Sequence, residues 1–173
     1  MPRKFFQRFL PHPQTIKDNK ALRIFGDWLH EPDLWHLNRR SVAGAFAVGF
    51  FFAWFPVPFQ MVLAAGTAIW LRTNLPLSVV LVWITNPVTI PPMFYFAYIV
   101  GTWIVGQPVT DFSFELTMNW LLNELSAIWL PFLVGCFTLA CTCSLIAYLT
   151  IEGVWRYMVL NKRSTSPHLK KKK

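Results

Sequence analysis

A chain of 173 residues that is 54% hydrophobic and only 14% charged, with 9 Trp and 16 Phe, carries more apolar surface than one small water-soluble core hides. This excludes an ordinary soluble domain of that size and predicts a single membrane domain. The net charge of +8 is unevenly placed: eight of the 16 Lys and Arg fall before residue 41, seven follow residue 155, and Arg72 stands alone between them.

Residues 1–40 form a cytoplasmic N-terminal region. It mixes charge with scattered apolar residues and lacks the compact apolar core and small-residue cleavage site of a secretory signal, so targeting is expected from the first hydrophobic segment itself. From Gln14 to Asn38, Ile16, Leu22, Ile24, Phe25, Trp28 and Leu29 alternate with Lys17, Lys20 and Arg23. That basic amphipathic pattern predicts a helix lying on an anionic leaflet. Pro32 is placed to open a helix with Asp33 in its first turn, and Ser41 to cap the first membrane arm. His30, Glu31, Asp33 and His36 are close in sequence, but Pro32 interrupts their alignment and no recognised ligand spacing is met, so no metal site and no cofactor is predicted.

The membrane domain covers residues 41–153. Between Ser41 and Gly106 the only formal charge is Arg72, yet proline breaks the run at Pro56 and Pro58 and again from Pro87 to Pro92. Proline removes a backbone donor and clashes with the preceding turn, and hydrocarbon cannot solvate the carbonyls this frees. Ser41–Leu71 divides at Pro56 into arms of about fifteen residues, each roughly 22 Å long and shorter than a hydrocarbon core of roughly 30 Å. The two arms are expected to enter and leave on one side as a re-entrant hairpin, the alternative being one kinked spanning helix. Leu75–Val105 is read as a crossing helix broken at Asn86–Pro92, residues 112–125 as an interfacial helix on the outer face, and Ile128–Ile151 as a regular C-terminal transmembrane helix. Cys136, Cys141 and Cys143 fall within this last segment and are read as small apolar side chains. Residues 154–173 are a basic tail, and its low-complexity end, Ser164–Lys173, is suited to anionic lipid; with no aromatic residues interleaved in that end, nucleic acid is not predicted. The predicted fold class is thus an all-α integral membrane protein, a helical bundle with two Pro-broken or re-entrant segments plus one regular transmembrane helix.

Charge sets the orientation. Val105–Ser126 carries no Lys or Arg and holds Asp111, Glu115 and Glu124, so this stretch is expected outside and both termini inside.

The candidate substrate-binding residues gather at the breaks: Pro56, Pro58 and Gln60 at the first, Arg72 and Asn74 after the second arm, and Thr85, Asn86, Pro87 and Thr89 at the second. Amides and hydroxyls can satisfy orphaned backbone groups, and two interrupted segments in one chain point to a transporter-like site. A bland reading stands beside this one, in which Gln60 and Asn86 merely satisfy each other or the kinked backbone. No catalytic residue is predicted. The chain has no phosphate-cradling glycine loop, zinc-protease helix or nucleophile elbow, and no carboxylate lies inside the apolar segments to carry a proton.

The run from Leu34 to Val42, the Pro56-Val57-Pro58-Phe59-Gln60-Met61 break, the Arg72-Thr73-Asn74-Leu75-Pro76 turn and Thr85-Asn86-Pro87-Val88-Thr89 with Pro92 and Gly101 together resemble the bacterial family known as domain of unknown function 2062 (DUF2062). The resemblance covers Leu34 to Leu149. It implies a small multi-pass protein of the bacterial inner (cytoplasmic) membrane and supplies no reaction.

The reading favoured by these features is a non-enzymatic membrane protein that binds, and in the fuller version translocates, an amphiphilic or anionic, lipid-headgroup-like substrate, with membrane lipids as partners. A homo-oligomer carrying lipid belongs with this reading. The alternative is a non-catalytic scaffold or accessory subunit of another envelope protein, docking through the small residues around Ala64, Ala65 and Gly66, the aromatic surface or the amphipathic N-terminal segment.

Overall fold

The computed structural model describes Leu22 and residues 32–106 and 118–164, of which 32, 33, 118–128 and 162–164 are described by their backbone alone. Every regular element among these residues is helical: a 3-10 turn, Pro32–Trp35, then α1 (Arg39–Ala53), α2 (Gln60–Trp70), α3 (Leu75–Val82), α4 (Ile90–Val105) and α5 (Met118–Ser164). Most of the predicted amphipathic segment 14–38 and the tail beyond 164 lie outside the described residues, as do 107–117.

α1 begins earlier than expected. Asn38, and not Ser41, is its cap: the Asn38 Oδ1 accepts from the Ser41 backbone N–H at 2.8 Å. A short amide side chain in extended backbone reaches the third helical N–H, which leaves Ser41 inside the first turn. There it is buried, with a hydroxyl that has no partner among the described residues.

The helix stops at Ala53, since the ring of Pro56 cannot tolerate the carbonyl of Phe52 in a continuing turn. Residues 54–59 reverse the chain, and Phe59 enters α2 at φ 66°, in the left-handed region that a bulky side chain rarely adopts. α2 then runs back for 11 residues. At its far end the Asn74 N–H donates to the Ser41 carbonyl at 3.2 Å, so the chain has returned to the level at which α1 began. α1 and α2 are therefore the two legs of a hairpin, unequal at 15 and 11 residues.

α3 starts from that level and runs parallel to α1, with Gly44 against Thr73 and Gly49 against Leu81. Pro76 sits in its first turn, where a missing N–H costs nothing. Helix is lost over 83–89, somewhat before the predicted 86–92. Pro91 and Pro92 belong to the first turn of α4, where their fixed φ suits the helix. α4 closes at Gly106, whose φ of 75° and N–H bond to the Thr102 carbonyl at 2.9 Å form a left-handed cap.

α5 is the longest element, 47 residues, and includes Pro131. Its stretch Trp129–Asn161 is the one helix among the described residues long and apolar enough to cross a membrane. From Met118 its backbone is continuous, so residues 118–125, expected in a separate interfacial helix, extend α5 instead.

α5 runs antiparallel to both α1 and α4. Arg39 at the start of α1 pairs with Glu152 at 3.5 Å, and the Phe51 and Phe137 rings meet edge to face further along. On the other side Gly101 lies against Pro131 and Gly135 against Ala97, backbone to backbone. Apolar clusters fill the seams: Val42, Ala45, Leu77 and Trp155 at one end, Val48, Ala64 and Val82 midway, and Tyr98, Phe132 and Cys136 under α4. Leu22 is fully buried with Leu34, Ile69 and Leu75, so this residue of the basic N-terminal segment faces the bundle core.

Candidate functional site: the junction of two helix breaks

The two breaks meet in space through the first turn of α2, where Gln60 reaches Thr85, 25 residues further along the chain. Gln60 follows the break in which Phe55 loses its helical partner, and its Nε2 donates to the Phe55 carbonyl. Its Oε1 lies 3.2 Å from Thr85 Oγ1. That hydroxyl has one proton and a nearer acceptor, the Val82 carbonyl at 2.7 Å, so the proton is shared and the Val82 bond is the stronger. A second link lies beside it, where the Trp83 indole N–H donates to Met61 Sδ at 3.4 Å.

Asn86 and Thr89 close the second break on itself. Asn86 Oδ1 accepts from the N–H groups of Val88 (2.9 Å) and Thr89 (3.0 Å), while Thr89 Oγ1 accepts from the Asn86 N–H at 2.9 Å and donates to the Ile84 carbonyl at 2.6 Å. This reciprocal exchange is the local logic of a capping box. The side-chain partner of Gln60 is accordingly Thr85 and not Asn86. Around the junction Pro58, Phe59, Asn86, Pro87 and Val88 are exposed, and Pro56, Gln60, Thr85 and Thr89 are half-buried.

Arg72 and Asn74 are not part of this junction. They lie beyond the opposite end of α2, an 11-residue helix roughly 16 Å long at 1.5 Å per residue. Asn74 has no exposure, and all its polar groups serve the fold: Oδ1 caps α3 through the Leu77 N–H at 3.1 Å, Nδ2 reaches the His36 carbonyl at 3.5 Å, and its own carbonyl accepts from Ser78 Oγ at 3.1 Å. Arg72 is exposed, at φ 50°. The predicted residues thus divide into a junction of seven and a distant turn of two.

Sequence reasoning passed over Met61, Trp83 and Phe59. Met and Trp in apolar runs read as packing, and nothing about a phenylalanine signals a left-handed turn. Gly or Asn there would have been a signal.

Gln60 has the clearest structural duty. Replacing it with Leu is expected to lower stability by about 0.5–1.5 kcal/mol, because the Phe55 carbonyl keeps only its bond from the Val57 N–H at 2.9 Å and the link across the break is lost. Thr85→Val should cost less than Gln60→Leu, since the Thr85 hydroxyl shares a single proton between two acceptors. Thermal unfolding of the detergent-solubilised variants checks the order, and equal stability of Gln60→Leu and wild type would mean the amide does not hold the break.

No curated protein and no solved structure matches this chain. A family model does, over residues 22–164, a span containing every helix described above and both breaks. The chain belongs to that family, described as "uncharacterized protein conserved in bacteria" (DUF2062).

Proposed function

We propose that this is a multi-pass protein of the bacterial inner membrane that binds an amphiphilic, anionic, headgroup-like substrate at the junction of its two breaks and moves it across the bilayer. In this reading α1 and α2 are a re-entrant hairpin, α3 and α4 together make one broken crossing, α5 returns, and both termini are cytoplasmic. The lengths agree: α1 and α2 at roughly 22 and 16 Å each fall short of a hydrocarbon core of roughly 30 Å, while α3 and α4 together reach roughly 36 Å. The positions of Arg39, Arg40, Arg72 and Arg156 agree with a cytoplasmic face at the open end of the hairpin. The reading requires no covalent chemistry.

The observation that carries it is the meeting of Gln60 and Thr85. Non-helical backbone at membrane depth is tolerated where protein buries it or water reaches it, and here two such stretches adjoin beneath exposed residues of both. The test uses Val88→Cys in a chain whose own cysteines are removed, modified after insertion by water-soluble thiosulfonates of either charge. Transfer of a fluorescent-headgroup phosphatidylglycerol across proteoliposomes is then followed. The anionic adduct is expected to slow transfer and the cationic adduct to preserve it. A cysteine that soluble reagents never reach, or transfer indifferent to adduct charge, rejects the reading.

A second reading has its own support. Gln60, Thr85, Asn86 and Thr89 all have partners within the chain, as packed kinks of a scaffold would. Of the small residues suggested for docking, Ala64 and Ala65 are fully buried against neighbouring helices, which leaves the half-buried Gly66 for a partner. A single stoichiometric protein partner after crosslinking and purification in mild detergent would favour the scaffold.

A further inference from the structure

Among the described side chains, Arg39, Arg40, Arg72 and Arg156 lie at the same end of the bundle, but they are not equivalent. Arg39 and Arg156 share the Glu152 carboxylate, at 3.5 and 3.0 Å. Arg40 and Arg72 are exposed and have no carboxylate partner among the described residues. They flank one hydrogen bond, Asn74 N–H to Ser41 carbonyl, Arg40 immediately before Ser41 and Arg72 two residues before Asn74.

The turn carrying Arg72 is held firmly. Leu71, Arg72 and Thr73 donate their N–H groups to the carbonyls of Thr67 (2.9 Å), Ile69 (3.1 Å) and Ala68 (2.9 Å), and Thr73 and Asn74 are buried beneath them. Beside Arg72, this fixed turn presents Trp70, 81% exposed, and Leu71, 51% exposed. An indole, an aliphatic side chain and a guanidinium on one rigid tip match the succession from acyl chain to headgroup at a membrane surface. A guanidinium fork also suits phosphate oxygens better than a point charge does.

We propose that this tip is a binding site for an anionic phospholipid, its phosphodiester between Arg40 and Arg72 and its upper acyl chain against Trp70 and Leu71. The site is separate from the break junction and rests only on the membrane part of the reading above. A soluble acidic peptide fits less well, because it would leave Trp70 and Leu71 in water.

The experiment places the full chain in phosphatidylcholine nanodiscs containing trace spin-labelled phosphatidylglycerol or spin-labelled phosphatidylcholine, and measures the motionally restricted fraction of each. Wild type is expected to prefer phosphatidylglycerol, and Arg40→Gln with Arg72→Gln to lose up to about fivefold of that preference for each arginine. Trp70→Ser should weaken retention of both lipids. The comparison variant, Lys170 to Lys173 all changed to Gln, should keep most of the preference. Preference unchanged in the double arginine variant, or abolished by the tail variant alone, overturns the site. Release of the protein from membranes by alkaline carbonate would instead overturn the membrane reading, so the two failures are distinguishable.

Discussion

Alanine at Gly101 or at Gly135 is expected to be the most damaging one-carbon change in this protein. A methyl group at Gly101 would land on the carbonyl of Pro131, and one at Gly135 on the carbonyl of Ala97, in each case well inside van der Waals contact. Neither obstacle is a side chain that can rotate away; both are backbone of the facing helix, so α4 and α5 must separate. Overpacking of an ordinary core costs about 1–3 kcal/mol, and a clash against two rigid helices should reach the upper end of that range or exceed it. The separation would also loosen Tyr98, Phe132 and Cys136, packed in the same seam. Thermal unfolding of purified variants, with the amount of inserted protein as a second readout, measures the effect. Because either methyl already forces the helices apart, the double variant should cost less than the sum of the singles. Full additivity, or a loss below about 0.5 kcal/mol for either single, would mean the helices do not cross at these glycines.

Asn74→Ala comes next, at a loss of about 2–4 kcal/mol. The change removes the α3 cap, which is the Oδ1 acceptor of the buried Leu77 N–H, at about 1–3 kcal/mol, and with it the Nδ2 bond to the His36 carbonyl, worth about 1 kcal/mol. Asn74→Ser separates the contributions: serine can cap α3 but is too short to reach the His36 carbonyl, so it should fall between wild type and alanine. Equal losses for Ser and Ala would show that α3 does not depend on its cap. Neither change should alter the break junction, which lies at the other end of α2, so cysteine accessibility at Val88 should be preserved in any folded variant.

Much of this arrangement could be read from the sequence, and the parts that could not have physical causes. The helical class, the interruptions near Pro56 and Pro87 and the long apolar α5 follow from proline chemistry and hydropathy, both properties of local sequence. The cap of α1 falls at Asn38 and not at Ser41 although both are good capping residues, and only backbone geometry distinguishes the two. Arg72, Asn74 and Gln60 look alike in the sequence, as polar residues in an apolar run. Residue type carries no information about α2 as a spacer, and the bond from the Leu77 N–H identifies Asn74 as the cap of α3. Conversely, the Gln60–Thr85 contact and the Arg39–Glu152 pair are long-range, and no local pattern encodes which amide meets which hydroxyl. The reciprocal bonding of Asn86 and Thr89 was legible in principle, since an Asn with a Thr three residues on is the spacing such a closed turn requires.

The hydrogen bond from Asn74 back to Ser41 has a bearing on the order of assembly. It closes a unit in which α1, α2 and α3 complete their mutual packing before any residue of α4 or α5 is needed. Contacts local in sequence form early, and a chain emerging at about 5–20 residues per second would have this unit complete while roughly half its length was still unsynthesised. α5 then arrives last, seating Trp155 and Ile151 against the finished unit and joining Glu152 to Arg39. The order expected from these contacts is a core made early and locked by a late helix, and a nascent chain stalled before α5 should already hold its first three helices together.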